Sequence, residues 1–164
     1  IIAYSFLNKA TKNNHKLILI GKGSLSYQKR LINFISKLDL IDYVEFLGHK
    51  EGKEKFKILS ESKLLVLPSH TENFGNVILE AYSCFLPCIC SSNTPWKVLN
   101  DLKIGFTYEN GHKDLNDKIQ KILNWDDKQY YEICKKGRQY IEDNFSTKDK
   151  DKKIINFLRQ IDEY

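Results

Sequence analysis

The chain's 164 residues, 41% of them apolar, suffice for one domain with a proper core and are too few for two large ones. The net charge of +5 comes from 26 Lys and Arg interleaved with 21 Asp and Glu. Without a basic stripe and aromatic residues between, this argues against a nucleic-acid partner and leaves a weak attraction to an acidic membrane surface. No apolar run reaches the roughly twenty residues of a membrane span and nothing resembles a signal peptide, so a soluble, cytoplasmic domain is expected.

In chain order, Ile1, Ile2, Tyr4, Phe6 and Leu7 suit the latter part of a helix, ending in the polar turn Thr11 to His15. Lys16 to Ile20 reads as a buried strand closed by Gly21-Lys22-Gly23-Ser24. Leu25, Leu31, Ile32, Phe34, Ile35 and Leu38 then recur at helical spacing. Tyr43 to Gly48 alternates as a second strand, Lys53 to Ser60 is a short amphipathic helix with Phe56 and Leu59 inward, and Lys63 to Pro68 is a third strand. A helix running to about Cys84 is followed by a strand over Pro87 to Ser91. Pro95 starts a short helix, because proline is favoured at the first helical position.

Ile104 to Tyr108 is an edge strand and Leu115 to Trp125 a helix. From Lys128 to Tyr164 the pattern is helical, broken near 144–147, where Ser146 or Thr147 can cap the next helix. Strands alternating with helices over short loops imply an α/β fold, a Rossmann-like doubly wound parallel sheet with helices on both faces. There is no methionine and the first residue is isoleucine, so a piece of a longer protein is expected. A chain entering inside a helix also implies a sheet lacking its first strand.

The stretch Leu65 to Ala81 carries the chemistry. An apolar strand ends at Pro68, a polar loop holds Glu72, and an apolar helix holds Glu80. Strand-to-helix turns at the carboxyl ends of strands are where open α/β sheets bind ligands. Asn76, Glu80 and Ser83 make one narrow polar stripe on that helix, facing either solvent or a cleft. A carboxylate beside a cleft suits a sugar diol, since an ionised acid only accepts hydrogen bonds and does so through two oxygens. The amides of Phe74, Gly75 and Asn76 at the helix start can hold a phosphate. As purely structural features, Glu80 is a solvated edge and Glu72 a first-turn acid favoured by the helix dipole.

Other signals are weaker. Gly21-Lys22-Gly23-Ser24 is placed as phosphate-binding turns are, but it completes no nucleotide fingerprint. Asp149-Lys150-Asp151 lies in a Lys/Asp run and reads as a solvated face. His15, His49, His70 and His112 contain no zinc pair, and His70 alone lies near the central stretch, as a ligand contact or a structural residue. Cys84, Cys88, Cys90 and Cys134 fit neither a zinc ribbon nor a redox pair and read as reduced, buried thiols. Trp96 and Trp125 read as core or domain-contact residues.

Pro68-Ser69-x-x-Glu72-x-Phe74-Gly75, followed by Leu79-Glu80-Ala81 and Leu86-Pro87, resembles the donor-binding signature of the retaining GT-B glycosyltransferases of family four, the glycosyl transferases group 1, with their Glu-x7-Glu pair. The likeness runs through Leu17 to Gly23, Phe46-x-Gly48, and Thr94 to Trp96 with Gly105. It implies the C-terminal, nucleotide-sugar-binding half of a two-domain enzyme, spanning residues 1–164 here. By the resemblance, Glu72 contacts the transferred sugar at the reacting centre and Glu80 holds the ribose hydroxyls. Phe74, Gly75 and Asn76 lie along sugar and diphosphate, Gly21, Gly23 and Ser24 on the phosphate side, and Gly48 and His49 beside the base.

The implied donor is a UDP- or GDP-linked sugar, used without a bound metal or other cofactor. The implied partners are the acceptor-binding N-terminal domain of the same parent chain and, in the parent, a peripheral membrane contact, as in surface polysaccharide or lipid-linked glycan synthesis. The family's diphosphate-binding Arg and Lys would precede Ile1, so this piece alone is expected to be inactive. The family often has glycine where Phe85 stands, so the end of the helix is expected to differ. Two alternatives are a GT-B-like nucleotide-sugar epimerase and a non-catalytic nucleotide-binding domain.

Overall fold

A computed structural model describes residues 1–109 and 111–145. The expected cap at Ser146 or Thr147 and the Asp149-Lys150-Asp151 run lie outside the described residues. The elements are α1 (Ile2–Ser5), α2 (Lys9–Asn14), β1 (Leu17–Ile20), α3 (Leu25–Lys37), β2 (Val44–Gly48), α4 (Gly52–Ser60), β3 (Leu65–Leu67), α5 (Asn76–Ser83), β4 (Cys88–Ser91), α6 (Val98–Asp101), β5 (Phe106–Tyr108), α7 (Gly111–Leu123) and α8 (Asp127–Phe145). A 3₁₀ turn over Ile41–Tyr43 leads into β2.

All pairings among the described strands are parallel, but they form two groups. β1 pairs with β2, while β3, β4 and β5 pair in that order. β4 is the central strand of the larger group, with all four residues buried. Its alternation separates two cores: Cys88 and Cys90 join Ile78, Tyr82, Leu99 and Ile141 on one face. Ile89 joins Ala3, Leu7, Ile35, Leu115 and Ile122 on the other. Helices α4, α5 and α8 thus cover one face and α1, α3 and α7 the other, the Rossmann-like doubly wound arrangement read from the alternation of elements.

Several local expectations change. Thr11 to Asn14 is helical rather than a turn, because the Asn8 side chain caps α2 by accepting from the Thr11 N–H at 2.9 Å. β1 is not buried on both sides: Leu17 and Leu19 face the core, whereas Ile18 and Ile20 are 37% and 40% exposed. On α3 only Ile35 is buried, while Leu25, Ile32 and Phe34 are exposed. Helical spacing defines an apolar face but not what lies against it. Proline does not start the short helix: α6 begins at Val98, with Lys97 as its N-cap.

Phe85 ends α5 in the left-handed conformation that glycine favours, with φ 55°. The Leu86 N–H donates to the Ala81 carbonyl at 2.9 Å and the Phe85 N–H to Tyr82 at 3.1 Å, the closure of a Gly-terminated helix, so the helix end does not differ as expected from the phenylalanine. The ring compensates by stacking on Tyr131 at 6.2 Å beneath the Arg138 guanidinium at 4.8 Å. All four cysteines are free and buried, as their apolar settings suggest.

Candidate functional site

β3 delivers the chain to its carboxyl end at Leu67, and the next eight residues form the turn into α5. Gly75 is the N-cap of α5 with φ 78°. A Cβ there would stand 3.2 Å from both the Glu72 Cγ and the Trp96 Nε1, and 3.3 Å from the Leu67 Cδ2. The positive φ therefore favours glycine, and any side chain there would also force these three neighbours to give by a few tenths of an ångström. The turn is held from two sides: the Ser69 hydroxyl donates to Glu72 at 3.4 Å, and the Trp96 indole N–H donates to the Phe74 carbonyl. Phe74 packs against Trp96 and Phe145, with centroids 5.6 and 5.5 Å away. Glu72 is half-buried and His70 exposed on the loop, while Asn76 opens α5 on the exposed side.

Glu80, one turn further along α5, is not a free solvated acid. Its Oε1 accepts from the Lys55 ammonium of α4 at 2.6 Å, and the two side chains keep 21% and 26% of their exposure. The stripe of Asn76, Glu80 and Ser83 thus borders α4, and the Ser83 hydroxyl turns back to the Leu79 carbonyl at 2.9 Å. Burial, with the nearby Glu80 charge as a lesser cause, pushes the Cys84 thiol up to about 11.

The loops after β1 and β2 meet, since the Gly21 N–H donates to the Gly48 carbonyl at 2.8 Å. Gly21, Gly23 and Ser24 are exposed. The Ser24 hydroxyl is used as the cap of α3, accepting from the Tyr27 N–H at 3.2 Å. Beyond Gly48, His49 pairs with Glu51, and this hydrogen bond first, then the histidine's charge, holds the Glu51 carboxyl below its usual range. Lys50 pairs with Glu54 at 3.4 Å.

Two groups result, Glu72 with Phe74, Gly75 and Trp96 after β3, and Gly21 with Gly48 after β1 and β2. The bond from Lys55 to Glu80 ties the helix after β2 to the helix after β3. Among the described residues no cluster of three His, Cys, Asp or Glu side chains suits a metal ion. An open groove of about 590 Å³ lined by Phe106, Lys118 and Trp125 lies between β5 and α7, away from these residues.

Sequence reasoning missed Lys55, the position of Trp96 against the turn, and Phe145. Lys55 lies 25 residues before Glu80 and Trp96 lies 22 residues after Phe74, separations that no helical or strand period connects. No described helix is long and apolar enough to cross a membrane.

The profile of the family described as glycosyl transferases group 1 matches residues 1–140. The chain is 32% identical over 101 residues to the capsular polysaccharide biosynthesis glycosyltransferase CapM of Staphylococcus aureus, covering 60% of this chain and 26% of CapM. It spans only 16% to 30% of the curated relatives it matches. The crystal structure of the C-terminal domain of a glycosyl transferase group 1 protein, LpcC of Francisella tularensis, superposes with a TM-score of 0.76 at 19% identity. That match covers 90% of this chain and 78% of LpcC. Anabaena HepE in complex with UDP superposes with a TM-score of 0.75 at 22% identity, over 98% of this chain and 42% of HepE. The fold is that of GT-B C-terminal domains.

Proposed function

The chain belongs to the glycosyl transferases group 1 family, and we propose that it is the donor-binding part of a retaining GT-B enzyme of family four. The parent moves a sugar, a hexose or a close derivative, from a UDP- or GDP-linked donor to an acceptor hydroxyl. The observation that carries this reading is the turn after β3, where Gly75 in the left-handed conformation sets Glu72 and Glu80 on either side of a helix start. Glu80 takes the ribose diol and Glu72 lies at the reacting centre. The amides of Phe74, Gly75 and Asn76 follow the sugar and diphosphate, with His70 beside them. Gly21, Gly23 and Ser24 border the phosphates, and Gly48 and His49 the base. Amides and cations aimed at the leaving diphosphate would stabilise the charge it develops, which needs no metal.

The acceptor domain and the basic diphosphate partners are assigned to parts of the protein outside this sequence, so residues 1–164 alone would not turn over. β1 pairs only with β2 and β3 only with β4 among the described strands, which leaves each with one open edge. A further parallel strand of the parent between them would complete the sheet. The name of CapM favours surface polysaccharide synthesis, and the net charge of +5 favours a peripheral contact of the parent with the inner face of the membrane.

Calorimetry with UDP and GDP tests the site. Glu80→Ala is expected to weaken the tighter nucleotide roughly tenfold or more, through loss of charged hydrogen bonds, and Glu72→Ala far less. Equal affinities of the two variants would overturn the division of roles. In the protein with its acceptor domain, Glu72→Ala should depress turnover at little cost in nucleotide affinity. A chelator should leave that turnover unchanged, and abolition of activity would overturn the metal-free part.

A further inference from the structure

We propose that Lys55 is a positioning residue for nucleotide recognition: it holds the Glu80 carboxylate in the orientation that receives the ribose diol. This rests on the reading of Glu80 as the ribose anchor. Its ammonium reaches the Glu80 Oε1 at 2.6 Å from a different helix. Five other ion pairs among the described residues are local, two or four positions apart along the chain, and so need no packing of one helix on another. The pair of Lys55 and Glu80 forms only when α4 and α5 are packed. A second contact, the Cys84 thiol to the Phe56 carbonyl at 3.9 Å, lies beside it on the same pair of helices.

The arrangement leaves the carboxylate competent. One ammonium uses one acceptor site of Oε1, while a carboxylate offers about four sites over its two oxygens. Two ribose hydroxyls can still be received. An unpartnered glutamate on a helix samples several rotamers and must be ordered by its ligand, at a cost in affinity. Lys55 orders it beforehand.

A residue that merely staples α4 to α5 would affect all nucleotides alike, whereas a positioning residue acts through the diol. Calorimetry is therefore done with whichever of UDP and GDP the wild-type protein binds more tightly, and with its 2′,3′-dideoxy counterpart. Lys55→Met is expected to weaken the ribose nucleotide about tenfold, the scale of one charged hydrogen bond. It should leave the dideoxy nucleotide within about twofold, and Lys55→Arg should restore most of the loss, since it keeps a charged donor.

Equal weakening of both nucleotides by Lys55→Met, or no weakening of either, overturns the proposal. If the methionine variant does not fold, Lys55→Gln is read by the same criterion. Glu80→Gln separates the two levels. If it fails to reduce the preference for the diol, the ribose role of Glu80 falls and this inference with it. If it does reduce that preference while Lys55→Met does not, only the role of Lys55 falls.

Discussion

The indole N–H of Trp96 donates to the main-chain carbonyl of Phe74, and the two rings stand 5.6 Å apart, inclined by 59°. Trp96 is 3% exposed and Phe74 37%, so a core residue fixes the backbone of a surface turn. Trp96→Phe keeps a six-membered aromatic ring but removes the donor and the remainder of the indole. It should lower stability by about 1–3 kcal/mol and weaken nucleotide binding, because the turn bearing Glu72 loses its lateral support. Denaturant midpoints together with calorimetry check this, and unchanged binding would detach Trp96 from the site.

Phe85 occupies a left-handed backbone position at φ 55°, which costs an L-residue about 1–2 kcal/mol. Phe85→Ala should destabilise, because the strain stays while the packing on Tyr131 and Arg138 is lost. Phe85→Gly should be more stable than Phe85→Ala by about 0.5–1 kcal/mol. Urea unfolding of the two variants measures the difference directly, and the opposite order would deny the strain.

Gly137 lies inside α8 flat against Tyr82, where a Cβ would come within 2.3 Å of a ring carbon. Helix propensity alone predicts that Gly137→Ala stabilises by about 1 kcal/mol. Overpacking is expected to win and give a net loss of about 1–3 kcal/mol. In a Tyr82→Ala background the same change should become neutral or stabilising, which thermal unfolding of the four proteins of the cycle would reveal.

Burial raises the Cys84 and Cys134 thiols from 9.0 to about 11, and it raises Cys88 and Cys90 as well. The folded state therefore holds these protons more tightly than the unfolded chain does. Their stabilisation is complete below pH 9 and is lost as pH rises towards 11. The melting temperature should fall across that window, by about 5 °C or more. Thiolate absorbance should appear later in the native protein than in the denatured one. Coincident thiolate titrations would contradict the burial.

The alternation of short apolar runs with helical spacings was enough to give the parallel α/β fold, because strand and helix periods are local properties of the chain. The sequence also marked the turn between Pro68 and Ala81, since a proline, a glycine and two acids at fixed spacing constrain neighbouring residues. Periodicity could not say what an apolar face rests on, so Ile18 and Ile20 read as part of a buried strand although both remain exposed. Nor could it pair residues on separate elements. The bonds of Trp96 to Phe74 and of Lys55 to Glu80 join positions 22 and 25 residues apart, and they exist only because the packed helices and sheet bring those side chains together. Local chemistry placed the carboxylates, and tertiary packing decided what holds them.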